Sequence, residues 1–350
     1  MSTILAEGRL IGGGQPCFMV AEVGVNHNGD LSLAHRLIDA ARAAGADAVK
    51  FQNYRTKDFI ASSDLTYSYL SNGQIRSEPQ KHMFERYELD NEQFAELKAH
   101  CDDLGVIFFS TPTSIEGLAF LTKLGVPLLK NGSDFLTHVG LIAAMAASTI
   151  PTILSTGMAT PEEIDDAVGT FRAAGGTDLV LLHCTSTYPA PMEELNLARI
   201  PALSHRYACP VGFSDHSLGP VAAIGAVAMG ACIIEKHFTL DRAMDGPDHW
   251  FSSDPSEWTA LVSAIKDVEK AIGTAEFGPT PSELAGRHGF RLSCVAAIPF
   301  EKGRVLAADD IVIRRPGTGI PPKFLNELIG RKLARDVVAG APLVWKDFDG

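Results

Sequence analysis

The chain lacks the features of exported, membrane-spanning and nucleic-acid-binding proteins. Its 350 residues carry a net charge of −12, so neither a nucleic acid nor an anionic bilayer would attract its surface. No run approaches the roughly 18 apolar residues of a membrane span, and residues 1–9 lack the basic and apolar regions of a signal peptide. The six cysteines form no C-x-x-C pair, which argues against a redox motif or a disulfide framework. We therefore expect a cytoplasmic protein with reduced cysteines.

Apolar β-branched or aromatic runs alternate with segments of helical spacing over most of the chain. Eight such runs are predicted strands: Phe18–Val23, Ala48–Gln52, Val106–Thr111, Pro127–Lys130, Thr152–Thr156, Leu179–Thr185, Val211–His216 and Cys232–Phe238. The clearest predicted helices between them are Leu31–Ala44, Asn91–Leu104, Pro161–Ala174 and Pro220–Met229. Glycines that can take positive φ follow most of the helices, at positions 45, 105, 125, 175 and 230. This α/β pattern predicts a closed (β/α)8 TIM barrel, with an open doubly wound sheet as the alternative.

One connection is much longer than the others. Residues 53–89 follow the second predicted strand with mixed polar and aromatic residues and no clear period. Long excursions in compact domains are usually functional lids or disordered insertions, and we predict a lid over the barrel mouth. The glycines at 12–14 precede a strand and do not open a helix, so they indicate a turn at the barrel bottom and not a phosphate loop.

The composition changes after a predicted helix at Ser256–Ala271. Residues 273–289 are rich in Gly, Pro and Ser, and short strand-like pieces follow at Ser293–Ile298, Asp310–Arg314 and Leu333–Val337. We predict a barrel domain over residues 1–278, a linker over 279–290 and a small β-rich domain over 291–350. The last domain has few residues from which to build a core, so we expect it to lean on another surface.

Polar side chains collect where the predicted strands end, which in a parallel barrel is the rim that carries catalytic groups. His216 and His237 end the seventh and eighth strands, so both imidazoles could hold one divalent metal with open positions for water or substrate. The other polar residues at these ends are Glu22, Lys50, Gln52, Ser110, Thr111, Lys130, Ser133, Ser155, Thr156, Tyr188, Ser214, Glu235 and Lys236. Any one of them could be an ordinary rim residue, but the whole set predicts an enzyme.

Each residue type in this set suits a separate task. Lys50 and Lys130 offer positive charge for a phosphate or carboxylate, and nearby Ser and Thr hydroxyls can donate to the same oxygens. Glu22 could move a proton. Asp248 follows the last strand and could bind substrate hydroxyls or simply form a turn. The residues therefore predict a phosphate pocket beside a metal.

Eight motifs are spread along the chain: AEVGVNHNG at 21–29, KFQ at 50–52, STP at 110–112, LSTGM at 154–158, HCTSTYP at 183–189, SDH at 214–216, EKHF at 235–238 and RRPG at 314–317. Together they closely resemble the sialic acid synthase family, which includes N-acetylneuraminate synthase. The resemblance implies that the protein condenses phosphoenolpyruvate with an open-chain N-acetylated aminosugar, such as N-acetylmannosamine, to give a nine-carbon 2-keto acid and phosphate. It also implies a C-terminal antifreeze-like (SAF, β-clip) domain and a domain-swapped homodimer.

The resemblance implies roles for individual residues. His216 and His237 would bind the metal, with Mn²⁺ first and Mg²⁺ or Co²⁺ as alternatives, while Glu22 acts in catalysis. Arg315 of the tail would reach the sugar N-acetyl group across the dimer. The residues implied for the substrates are Lys50, Gln52, Ser110, Thr111, Lys130, Ser133, Ser155, Ser186, Tyr188, Ser214, Glu235 and Asp248.

Ser186 departs from the pattern of N-acetylneuraminate synthases, which tend to carry Asn after Cys-Thr. The smaller side chain makes room for a bulkier diacetamido-trideoxy sugar, so N,N'-diacetyllegionaminate or pseudaminate synthesis is the alternative. Two further interpretations are a Schiff-base aldolase that uses Lys50, Lys130 or Lys236 and a non-catalytic carbohydrate-binding protein.

Overall fold

The eight apolar runs form one closed parallel barrel in the computed structural model, which describes residues 2–62 and 64–349. Consecutive strands are neighbours, and the eighth closes on the first, with Ile233 opposite Phe18. The strands are Phe18–Gly24, Ala48–Asn53, Ile107–Pro112, Leu129–Asn131, Thr152–Ser155, Leu179–Cys184, Val211–Asp215 and Ile233–His237. The predicted (β/α)8 barrel is confirmed, and the open sheet is excluded.

Helices with one buried face connect these strands, as parallel pairing requires. Local capping sets their ends: the Asp30 side chain accepts a hydrogen bond from the Ser32 backbone N–H at the start of the first helix. The five glycines predicted at helix C-termini all have positive φ. The helices of this unit, Met1–Gly273, are Leu31–Ala43, Thr56–Phe59, Gln80–Tyr87, Asn91–Leu104, Ile115–Leu124, Val139–Ala147, Pro161–Ala173, Arg199–Tyr207, Val221–Ala228 and Pro255–Ile272.

An N-terminal hairpin packs against the apolar lower interior of the barrel, where the sequence predicts only a turn. Its strands Thr3–Ala6 and Arg9–Gly12 pair antiparallel. Ile4 and Ile11 are buried and pack in one cluster with Phe18 from the start of the first barrel strand. The barrel bottom is therefore filled with side chains, which leaves the opposite end for chemistry.

The interior becomes polar two residues further along the same strands. Alternate residues of a strand face the same side, so a polar residue two positions after an interior apolar one also faces inward. The pairs are Val20 and Glu22, Ala48 and Lys50, Phe109 and Thr111, Leu128 and Lys130, Ile153 and Ser155, and Ile233 and Glu235. This change divides an apolar floor from a polar layer at the C-terminal end of the barrel.

The long connection after the second strand is regular and forms what we call the lid: helix Thr56–Phe59, an antiparallel hairpin of Thr66–Ser71 with Gln74–Pro79, and helix Gln80–Tyr87. Tyrosines 54, 69 and 87 pack with Met83 and Val25 in a small separate core.

The hairpin of the lid is bound to the loop after the eighth strand. One carboxylate oxygen of Asp245 accepts hydrogen bonds from Ser71 Oγ at 3.1 Å, Asn72 Nδ2 at 2.8 Å and Arg76 Nη2 at 2.9 Å.

The second unit, Thr274–Gly350, has its own small core. It contains helix Pro281–Phe290, the antiparallel strands Ser293–Ala296 and Ile311–Arg314, and the short helix Leu325–Leu328. Two of the three predicted strand pieces are therefore strands. Leu333–Val337 is not, because its ends pair singly with separate segments: Leu333 with Phe348 and Val337 with Phe300.

The six cysteines, all within the described ranges, are free thiols. No helix in the described part of the chain is long and apolar enough to cross a membrane.

Candidate active site

A cavity of about 570 Å³ lies at the C-terminal end of the barrel, between the polar layer and the lid. Barrel residues form its floor and lid residues form part of its wall. Most of the predicted site residues line it: Glu22, Lys50, Gln52, Thr111, Lys130, Ser133, Ser186, Tyr188, Ser214, His216, Glu235, His237 and Asp248.

The two histidines lie next to each other in the lining of this cavity, with ring centroids 5.6 Å apart and ring planes inclined by 57°. His216 Nδ1 lies 2.9 Å from the carbonyl oxygen of Thr185. Since a carbonyl only accepts, Nδ1 must carry a proton, and Nε2, which lies 3.4 Å from Ser214 Oγ, is the ring nitrogen that could bind a ligand. His237 Nδ1 is buried without a hydrogen-bond partner among the described residues, 3.6 Å from Asp248 Oδ2.

The electrostatics of the histidines differ. Burial, together with the positive charges of His216 and Lys50, lowers the pKa of His237 well below its ordinary value, so this ring is neutral. Burial also lowers the pKa of His216, but the charge and hydrogen bond of Cys184 as thiolate, together with the Thr185 carbonyl and Glu235, outweigh that effect and raise it.

These residues fit a divalent metal with few protein ligands. Within the described ranges, no three His, Cys, Asp or Glu side chains form a ready metal site. Two imidazoles, one with a buried ring nitrogen that lacks a partner, instead match an ion whose remaining positions water and substrate would fill.

Two lysines and two glutamates form a buried ionic layer beside the histidines. Lys50 Nζ lies 2.7 Å from Glu22 Oε2 and 3.8 Å from Glu235 Oε2. Lys130 Nζ lies 3.1 Å from Glu235 Oε1, which also accepts a hydrogen bond from Ser214 Oγ at 2.9 Å. Each lysine is therefore already balanced by a carboxylate, so an anionic substrate would share or displace these partners.

Burial and pairing shift the pKa values of this layer in opposite directions. Burial raises the pKa of Glu22 despite the nearby Lys50. Burial would also raise the pKa of Glu235, but Lys130 and Lys50 lower it to about 2. Burial lowers the pKa of Lys50, yet Glu22 and Glu235 outweigh that effect and raise it. Glu235 is thus the firmly ionised carboxylate and Glu22 the one suited to carry a proton.

Three of the predicted substrate residues do not line the cavity. Ser110 is buried and donates to the Phe51 carbonyl oxygen at 2.9 Å, because it is adjacent to Thr111 on its strand and so faces the opposite side. Ser155 is buried, and its hydroxyl has no partner in the described chain. Arg315 belongs to the second unit, where its guanidinium lies 5.3 Å from the centre of the Phe290 ring.

Two other predicted rim residues also point elsewhere. The Thr156 hydroxyl donates to the Leu182 carbonyl oxygen at 3.0 Å. Lys236, between Glu235 and His237 on its strand, faces away from the cavity and pairs with Asp215 at 2.8 Å.

The cavity also has an apolar wall and one acid that were not predicted from the sequence. The missed lining residues include Tyr54, Phe59, Tyr67, Met83, Phe84, Asp134 and Met158. Burial raises the pKa of Asp134. Among these aromatic residues only Tyr67 carries a sequence signal, because tyrosines at alternate positions in Thr66-Tyr-Ser-Tyr-Leu-Ser71 are typical of a strand.

Comparisons with known proteins identify the family of the chain. Residues 37–277 match the NeuB family model, and residues 293–349 match the SAF domain. An uncharacterized protein of Methanocaldococcus jannaschii is 41% identical over the full length of both chains. The N,N'-diacetyllegionaminic acid synthase of Legionella pneumophila is 39% identical, over 97% of this chain and 96% of its own.

The crystal structure of an N-acetylneuraminic acid (sialic acid) synthetase from Leptospira borgpetersenii, in complex with citrate, superimposes with a TM-score of 0.75. It is 35% identical and covers 81% of this chain and 94% of its own. Other relatives are named pseudaminic acid synthase or N-acetylneuraminate-9-phosphate synthase.

Proposed function

Since this chain belongs to the NeuB family of phosphoenolpyruvate-condensing nonulosonic acid synthases, we propose that its second substrate is an open-chain diacetamido-trideoxyhexose. The product is then a nine-carbon 2-keto acid of the legionaminate or pseudaminate type. N-Acetylmannosamine, the first expectation from the sequence, is the second candidate, because a 35% identical relative is named for N-acetylneuraminic acid.

Two observations support the bulkier sugar. Ser186 leaves more room at the cavity than an asparagine would, and the wall that includes Phe59, Met83, Phe84 and Met158 is apolar. A trideoxy sugar with a second acetamido group presents more apolar surface than N-acetylmannosamine, and burial of that surface is favourable. The 39% identical relative named for N,N'-diacetyllegionaminic acid points the same way.

The reaction itself is carried by one observation: two imidazoles converge beside a buried layer of paired lysines and glutamates. The family uses a divalent metal, and we assign it to His216 and His237, with Mn²⁺ first and Mg²⁺ or Co²⁺ as alternatives. When bound, the ion supplies Lewis-acid polarisation of the sugar carbonyl.

The chain's own groups carry out the remaining steps. Lys50 and Lys130 bind the phosphate and carboxylate of phosphoenolpyruvate, with hydroxyl donors from Thr111 and Ser133. As C3 of phosphoenolpyruvate attacks the sugar C1, Glu22 gives its proton to the former carbonyl oxygen. Water then adds at C2 and returns one proton to Glu22. The C2–O bond to phosphate breaks, the departing phosphate takes the proton of the C2 hydroxyl, and the 2-keto acid remains.

The Schiff-base alternative has less support. A nucleophilic lysine must be neutral, whereas Lys50 and Lys130 both pair with carboxylates and Lys236 pairs with Asp215 outside the cavity.

The test is phosphate release from phosphoenolpyruvate with each candidate sugar. We expect release with a diacetamido-trideoxyhexose, a slower rate with N-acetylmannosamine, loss of activity after chelation and recovery with Mn²⁺. His237→Ala should be inactive with an unchanged melting temperature, and His205→Ala is the matched control because that residue lies on the helix Arg199–Tyr207, outside the cavity lining. An undiminished rate after chelation, or in His237→Ala, would reject the assignment.

We also propose a homodimer in which the tail of one copy brings Arg315 to the sugar site of the other. Inactive Arg315→Ala mixed with inactive His237→Ala should then regain activity through hybrid dimers. Mixtures that exchange subunits but stay inactive would contradict the exchange of tails.

A further inference from the structure

We propose that Asp215 and Lys236 are positioning residues, which hold the His216 and His237 imidazoles at a fixed spacing from behind the barrel wall. This inference rests on the proposed metal role of the two histidines. Neither Asp215 nor Lys236 lines the cavity, and each directly precedes one of the histidines in the sequence.

The pair joins the two strands at the point where the histidines leave them. Asp215 and Lys236 are opposite each other in the parallel register of the seventh and eighth strands. Lys236 Nζ lies 2.8 Å from Asp215 Oδ2 and donates to the Ser217 carbonyl oxygen at 2.5 Å. Lys236 is therefore bound to the residues on both sides of His216.

Asp215 also fixes the backbone around His216. Its Oδ1 accepts hydrogen bonds from the Ser217 backbone N–H at 2.9 Å and from Ser217 Oγ at 2.7 Å. These bonds close a turn with His216 at its centre. The Asp215 carboxylate therefore fixes the backbone from which the His216 imidazole projects. The side chains of Asp215 and Lys236 are 0% and 3% exposed, so water cannot substitute for any of these bonds.

Stability alone is a poor explanation for such a pair. Desolvation of two charges offsets most of their attraction, and apolar residues of similar volume are often as stable in the same place. Apolar residues cannot orient the neighbouring backbone and side chains. A buried charge with its hydrogen bonds satisfied does so, because the bonds hold in only one geometry. Groups behind metal ligands commonly set ligand orientation, and their loss weakens metal affinity by about 10- to 100-fold.

The experiment measures Mn²⁺ binding to metal-free, full-length protein by calorimetric titration, which needs no turnover. The main variant is the double substitution Asp215→Leu with Lys236→Met, which removes both charges and leaves none unpaired. Its matched control is Asp165→Leu with Arg206→Met, which removes a half-exposed ion pair on the helical surface. Ser217→Ala is a milder variant that deletes only the hydroxyl contact with Asp215.

We expect the double variant to melt near the wild-type temperature and to bind Mn²⁺ about 10- to 100-fold more weakly. Its kcat should recover as Mn²⁺ is raised, while the KM for phosphoenolpyruvate stays unchanged, and the surface control should behave as wild type. Ser217→Ala should weaken Mn²⁺ binding by a smaller factor, and it keeps the test valid if the double variant does not fold.

Wild-type Mn²⁺ affinity in a folded double variant, or in folded Ser217→Ala where the double variant fails, would overturn the positioning role. Failure of the metal assignment gives a different result: the wild type binds no Mn²⁺, or His237→Ala binds it as tightly as the wild type. That result overturns this inference together with its premise.

Discussion

The space beside Gly157 is too small for a Cβ, and this gives a sharp test of the site geometry. A Cβ added at Gly157 would lie 2.7 Å from Ser133 Oγ, nearer still to Ser186 Oγ, and 3.1 Å from Cys184 Sγ. Ser133 and Ser186 line the cavity, and Ser133 Oγ accepts a hydrogen bond from the Gly157 backbone N–H at 3.0 Å. Gly157→Ala therefore displaces two proposed substrate contacts without altering any charge.

The size of the effect follows from these distances. Ordinary van der Waals contact begins at 3.4 Å, so the Ser133 hydroxyl must retreat by roughly 0.7 Å and the Ser186 hydroxyl by about 1 Å. Extra methyl groups in packed interiors destabilise by about 1–3 kcal/mol. A misplacement of about 1 Å in an active site can lower the rate about a hundredfold. We therefore expect kcat/KM to fall by roughly tenfold to a hundredfold.

Gly169→Ala is the matched control, because it makes the same substitution on the exposed side of helix Pro161–Ala173. No described heavy atom lies within 4 Å of the Cβ it adds, so it should stabilise the helix by about 0.5–1 kcal/mol and leave kcat/KM unchanged. Phosphate release and thermal unfolding of both variants give the two readouts. Wild-type kcat/KM in Gly157→Ala would refute the claim that Ser133 and Ser186 contact the substrates from their observed positions.

Two further predictions concern the lid and the second unit. Asp245→Ala should raise the KM for the sugar up to about fivefold and expose the lid to protease, because its three hydrogen bonds to the lid together contribute on the order of 1 kcal/mol. The control is Asp267→Ala, which removes an exposed carboxylate on the helix Pro255–Ile272; values for Asp245→Ala equal to those of the control would show that these bonds do not hold the lid. The backbone N–H of Ala307 lowers the pKa of Asp310, so this carboxylate stabilises the fold above its unfolded pKa of about 3.9 and loses that effect as the pH falls through the folded value. Asp310→Asn should therefore lower the melting temperature at pH 7 and approach wild type in acid, unlike the exposed Asp309→Asn; a gap independent of pH would contradict this.

The strands were predictable because barrel strands are buried on both faces and appear as continuous apolar runs. The convergence of His216 and His237 was predictable for a related reason: neighbouring parallel strands end at the same rim. Which rim residues face the cavity depends on the pleat of each strand, because neighbouring residues of a strand face opposite sides. Ser110 and Lys236 each lie next to a residue that faces inward, so strand alternation alone could have excluded them.

The sequence predicts a lid over residues 53–89, but its hairpin was missed for a different reason. Asn72-Gly73 is a strong local hairpin signal, and both residues have positive φ, but the strand after it, Gln74–Pro79, is mostly polar and lacks a clear hydrophobic period. The hairpin is held in place by contacts distant in sequence, chiefly the hydrogen bonds with Asp245. The pairing of Lys50 with Glu22 is equally distant in sequence, so the sequence predicts both charges but not that they neutralise each other.

That pairing explains how a chain with a net charge of −12 can take a phosphorylated, multiply charged substrate. Unpaired lysines at this depth would be strongly disfavoured in the empty barrel, and Glu22 and Glu235 remove that penalty. On the mechanism proposed above, phosphoenolpyruvate takes over Lys50 as its counterion, and Glu22 then loses the interaction that opposes the effect of burial on its pKa. The arrival of one substrate thus raises the proton affinity of the acid that the other substrate needs, so binding and proton supply are coupled through a single lysine.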